Sequence, residues 1–177
     1  MLPKVKYLLV LAIALTFGFQ QPNPSGYDTN AKIKAVFIYN FTKYFEWPNN
    51  KKTGNFIIYI VGKNDNLINE LNLLAKRKKV GSQDIEVKNT PAFDKSVNAN
   101  MVFLLPESSK VITDVSGKSK NKGVLLITEN SGGAKSGSSI NFIIVDSKQK
   151  FEYSKNNAIK AGLKTNDDFK SLAINID

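Results

Sequence analysis

The side chains most often used to move protons near neutral pH are missing from this sequence. It has no histidine and no cysteine, which removes the usual general base, the commonest metal ligand and the thiolate nucleophile. Ser-His-Asp chemistry, HExxH zinc sites, disulfide switching and thiolate metal centres are excluded with them. The carboxylates Asp65, Glu70, Glu107, Glu129, Asp146 and Glu152 fall one per predicted element, and no two stand at a spacing that forces them together. An enzyme would have to work with carboxylates, lysine or tyrosine, a carboxylate-based hydrolase being the plainest version. A binding or regulatory role fits better, and no metal or cofactor is implied.

Binding chemistry is concentrated in the stretch ENSGGAKSGSS at 129–139, with Asn130, Gly132, Gly133 and Lys135. Glycine-rich backbone after a strand can cradle an anion or small ligand, and parallel sheets bind at the C-terminal ends of their strands. The stretch matches neither GxGxxG nor a phosphate-binding loop ending in GK[ST], so a plain connector is the simpler reading. Lys63 and Asn64, after the first long strand, form a second candidate. Their plain alternative is a turn with a helix cap.

The elements that position these residues follow from hydrophobic spacing. Asp28 or Thr29 can cap a helix from Ala31 to Glu46, with Ile33, Phe37, Ile38, Phe41, Tyr44 and Phe45 on one apolar arc. Lys32, Tyr39, Lys43 and Glu46 lie opposite, and Trp47-Pro48 breaks the helix. Tyr39, Glu46 and Trp47 therefore sit on or beside the polar side, where packing does not require them, and are candidates for touching a partner. Continuous apolar runs at 55–61, 101–105, 123–128 and 140–145 read as strands buried on both faces, with a weaker strand at 85–87. A second helix is capped by Asn64 or Asp65, and further helices are expected at 107–118, 156–163 and 167–175. A turn at Asp146-Ser147 folds 150–153 back on 140–145 as a hairpin at the antiparallel edge. The pattern predicts a three-layer α/β/α fold with a mostly parallel central sheet and a C-terminal antiparallel hairpin.

Lys4 and Lys6 precede the apolar run 7–19. That layout reads as an export signal over 1–19, too short for a span of ~20 apolar residues. Residues 20–27 read as a flexible leader, and 28–177 as a single domain. The net charge of +10 suits either a solvated lysine surface or an anionic partner. Arg77 is the single arginine among 25 basic residues, which argues against nucleic acid, whose readers rely on the guanidinium fork.

The helix KAVFIYNFTKYFEWPN at 34–49, followed by FIIYIVG at 56–62, resembles the opening of the YfiR-like periplasmic proteins. The stretch INFIIVDSKQKFEYSKNNAIKAGLKTNDDFKSLA at 140–173 resembles their closing pattern, and MVFLLPES and GVLLIT fit the strands between. The resemblance covers residues 31–173. It implies a periplasmic regulator without catalysis, acting on a membrane-bound signalling protein of the diguanylate cyclase or sensor kinase type. Through such a partner it would lower cyclic-di-GMP signalling and biofilm formation. Homodimers occur among such proteins. Relatives use cysteines for redox sensitivity; this sequence has none, so that control does not carry over. The alternative is a periplasmic small-molecule or anion-binding domain using the loops at the strand C-terminal ends.

Overall fold

Asp28 accepts a hydrogen bond from the Ala31 N–H at 3.0 Å, satisfying one of the open donors of the helix start. The computed structural model describes residues 28–177; the export signal and leader expected over 1–19 and 20–27 lie outside them. The first helix, α1 (Thr29–Phe41), is shorter than its apolar spacing predicts. After Phe41 the N–H groups of Thr42, Lys43 and Tyr44 turn to acceptors three residues back, and the Thr42 hydroxyl donates to Tyr39 O at 2.6 Å. This tightened turn ends the helix before Trp47-Pro48 is reached. Phe45 and Glu46 then form a short strand, β1 (Phe45–Glu46), antiparallel to β9 (Lys164–Thr165).

The remaining elements in chain order are β2 (Phe56–Val61), α2 (Asp65–Ala75), β3 (Lys79–Val80), β4 (Gln83–Thr90) and β5 (Met101–Leu104). They continue with α3 (Ile112–Ser119), β6 (Leu125–Thr128), β7 (Ile140–Val145), β8 (Lys148–Tyr153), α4 (Lys155–Lys160) and β10 (Ile174–Asn175). The main sheet has eight strands in the order β10-β8-β7-β6-β5-β2-β4-β3. From β4 through β7 every pairing is parallel, and β7-β8 and β3-β4 are antiparallel. The expected hairpin is present, turning through Asp146 and Ser147 at φ 51° and 59°, but it is not the sheet's edge. Residues expected to continue a final helix instead make a short 3-10 turn at Asp167–Leu172 and then β10, which lies parallel outside β8. Likewise, 107–118 divides into a 3-10 turn (Pro106–Val111) and α3.

The central strands β2, β5 and β6 are largely buried on both sides, as continuous apolar strands require; β7, expected to be buried likewise, is covered only through Phe142, and Ile144 is 60% exposed. One face carries α1 and α2: Ala35, Ile38, Phe41, Leu67 and Leu71 pack with Phe56, Ile58, Ile60, Phe103 and Phe142. The other carries α3, whose Ile112 and Val115 cover Tyr59, Val61, Val102 and Leu104. The predicted three-layer arrangement is what forms. Within the first core, Phe41 meets Phe151 at 5.1 Å and Phe169 at 5.7 Å, both edge-on, a geometry that adds to simple burial. Ile33, expected on the buried arc, is 37% exposed, because the helix turns Ala31, Ala35 and Ile38 inward instead.

Candidate functional site

The parallel strands end in a polar network rather than an open cradle. Thr128 closes β6 and Asn141 is the second residue of β7, and both are fully buried. Thr128 Oγ1 lies 2.8 Å from Ser138 Oγ and 2.8 Å from Asn141 Oδ1. Asn141 Oδ1 also accepts from the Asn130 N–H at 3.0 Å, while its amide nitrogen donates to Asn130 O and to Glu152 Oε2, each at 2.8 Å. Asn141 thus uses both ends of its amide to bind the loop to β8, as a buried polar group must. Lys34 reaches over from α1 to Glu129 at 2.5 Å.

Gly133 is wedged into this network. A methyl group there would stand 2.9 Å from Asn141 Cγ and against the Thr128 hydroxyl. Gly132, at φ +70°, has open space around it and supplies the turn. Lys135 is exposed. Asn130 donates from its side chain to Pro106 O at 3.3 Å, linking the loop to the end of β5. A groove of about 380 Å³ lies beside the loop, and its charged lining groups are Glu129 and Glu152.

The second candidate pair divides between two structural jobs. Asn64 caps α2, its side chain accepting from the Leu67 N–H at 3.0 Å. The Lys63 N–H donates to Glu107 Oε1 at 2.7 Å, while the Lys63 ammonium stays exposed. Gly62, at φ +116°, allows this approach; a methyl there would sit 2.9 Å from Glu107 Cδ.

The aromatic trio does not form a surface platform. Trp47 is 5% exposed, donates its indole N–H to Asn100 O at 3.1 Å, and stands edge-on to Phe56 at 4.8 Å. Its placement beside the polar side is therefore corrected: the early helix end and β1 swing it into the core. Tyr39 remains half-buried on α1, with the Lys43 ammonium 5.3 Å from its ring centroid. Glu46 is exposed and pairs with Lys52 at 3.1 Å, a hydrogen bond that holds its carboxyl below the usual range. Glu46 and Trp47 border a groove of about 260 Å³ with Phe56, Val80 and Gln83.

The fold thus brings Asn130, Gly132 and Gly133 together, and leaves Tyr39, Glu46 and Trp47 apart from them. Sequence reasoning missed Lys34, Thr128, Ser138 and Asn141, and with them the approach of Glu129 and Glu152 to one groove. Asn141 carried a usable signal, an amide inside the otherwise apolar run INFIIV. Lys34 carried none, since its partner lies 95 residues away. Among the described residues no group of three or more carboxylates could hold a metal ion, and no helix is long and apolar enough to cross a membrane.

A family model, that of the YfiR/HmsC-like proteins, matches residues 31–173. It takes in the sheet from β2 to β8 and all but the first residues of α1. No curated protein matches the chain.

Proposed function

We propose, since the chain belongs to the YfiR/HmsC-like family, that it is an exported, non-catalytic regulator of a membrane-bound signalling protein. The partner class that follows from the family is a diguanylate cyclase or sensor kinase, touched on its periplasmic side. The observation that carries this reading is the family match over 31–173, which includes every element that builds the two cores. Two features of the chain support it. Without histidine or cysteine, neither thiol redox signalling nor the commonest acid–base chemistry is open to it. Thr128, Asn141 and Glu152 at the strand ends are also bound to one another, with the buried Asn130 Oδ1 left without a partner among the described residues, so the site reads mainly as a brace for the loops.

Chemical crosslinking of the chain, expressed with its own N-terminal segment in intact cells, tests the proposal. One membrane-embedded signalling protein is expected to be enriched over an unrelated exported control, and a crosslinked second copy of the chain would report a homodimer. Enrichment no greater than the control's would count against direct contact. The alternative of a ligand site in the strand C-terminal loops has less behind it, because the groove there is bordered by carboxylates rather than by cations.

A further inference from the structure

The opposite end of the sheet holds a cleft of different character. It has a volume of about 460 Å³ and lies where the chain enters β5 and β6, within the range of small-molecule sites. Lys51, Lys95, Lys118 and Lys122 all line it, together with Phe93 and Val97, and no carboxylate does. Two acids next to its lining segments are already engaged: Asp114 pairs with Lys118 at 2.6 Å, and Asp94 accepts the Ser96 N–H at 2.8 Å beside Lys95.

Lys51 is the unusual member. Its residue is 7% exposed, and its ammonium donates to Asn98 Oδ1 at 2.5 Å and Ala99 O at 2.7 Å, both neutral acceptors. An ammonium has three hydrogens, and among the described residues no carboxylate lies within ion-pair distance of this one. A buried cation without a counter-charge is unfavourable. Burial, and then the charge of Lys122, press the Lys51 ammonium below its ordinary pKa.

The surroundings hold this lysine in place. Its carbonyl accepts from Gln83 Nε2 at 3.1 Å and Asn100 Nδ2 at 3.0 Å. Gly123 lies so close to Pro48 that any side chain would collide with it, which keeps the Lys122 segment against the Lys51 turn. A cation held in place, as Lys51 is, loses little freedom when it takes up a ligand. Phe93 and Val97 add an apolar wall beside the charges.

We propose that this cleft binds a small organic anion carrying two or more negative charges, a phosphate ester or polycarboxylate. Lys51 would meet the recessed charge, Lys95 and Lys122 the outer one, and Phe93 the carbon skeleton. The assignment stands on the geometry of the cleft and is independent of the signalling partner.

Titration calorimetry of the purified chain with pyrophosphate and with citrate, at about 0.15 M salt to screen loose attraction, tests it. Saturable one-to-one binding of at least one probe is expected. Lys95→Gln with Lys122→Gln, both at exposed positions, should weaken it about tenfold or more while leaving the ligand-free thermal midpoint unchanged. Lys51→Gln should abolish binding. The pair Lys76→Gln and Lys78→Gln, at the end of α2, should change nothing. Absence of saturable binding, or equal weakening by the α2 pair, would overturn the proposal. Retention on heparin without any response to the small anions would overturn it in favour of a polyanion-binding surface.

Discussion

Two adjacent glycines in the 129–139 loop do different work, and substitution separates them. Gly133 gives up its side chain to let Thr128 and Asn141 close on the loop. Gly133→Ala should therefore destabilise the protein by about 1–3 kcal/mol, as overpacking does, read as a lower midpoint in urea. Gly132→Ala meets open space and costs only the left-handed conformation, about 1 kcal/mol. Equal losses at the two positions would show that the wedge does not matter. In the sequence the pair left a ligand cradle open beside the simpler reading of a plain connector, because glycine content reports freedom of backbone without saying what uses it. The user here is Asn141, and its partners become visible only when β6, β7 and β8 are side by side. For the same reason Lys34 and Glu129 could not be paired from sequence: helix and strand meet only through the sheet order.

At the scale of elements, apolar strands were the legible part. The runs at β2, β5 and β6 are apolar nearly throughout, so their burial on both sides was readable; the run at β7 read the same way, yet Ile144 is 60% exposed. Ends of elements were not. The first helix keeps its apolar spacing past Phe41, yet Thr42 and the pairing of β1 with β9 take the backbone elsewhere. Trp47 moves from a presumed surface into the core as a direct result. Trp47→Ala should cost about 3–5 kcal/mol, as for other large core aromatics. Because Trp47 is the one tryptophan of the chain, native fluorescence should be blue-shifted and move to longer wavelength in a single step on unfolding. An emission already at the solvent-exposed wavelength would contradict the burial.

For the molecule as a whole, the three layers were readable, whereas the sheet's edges were not. β10 is made of residues whose spacing resembles a helix end, and only its pairing with β8 makes it a strand. Acid stability is also a property of the whole. Hydrogen bonds lower the carboxyl pKa of Asp28, Glu46, Glu86 and Asp94, from the Ala31 N–H, Lys52, Asn55 and the Ser96 N–H respectively. Each therefore binds its proton less readily folded than unfolded. Its contribution is present above the unfolded pKa and is lost as pH falls through the folded one. The thermal midpoint should stay level from pH 7 to about 5 and decline below about 4; a midpoint that rose on acidification would reverse the sign. The aromatic core carries a last consequence, one of timing. Phe37 and Phe41 pack on Phe142 and Phe151, and Phe41 also on Phe169. A chain emerging from its N-terminus thus meets β2 and α2 early, but lacks the aromatic partners of α1 until β7, β8 and the 3-10 turn at Asp167–Leu172 have been made. The aromatic part of this core therefore cannot close until Phe169 has been synthesised.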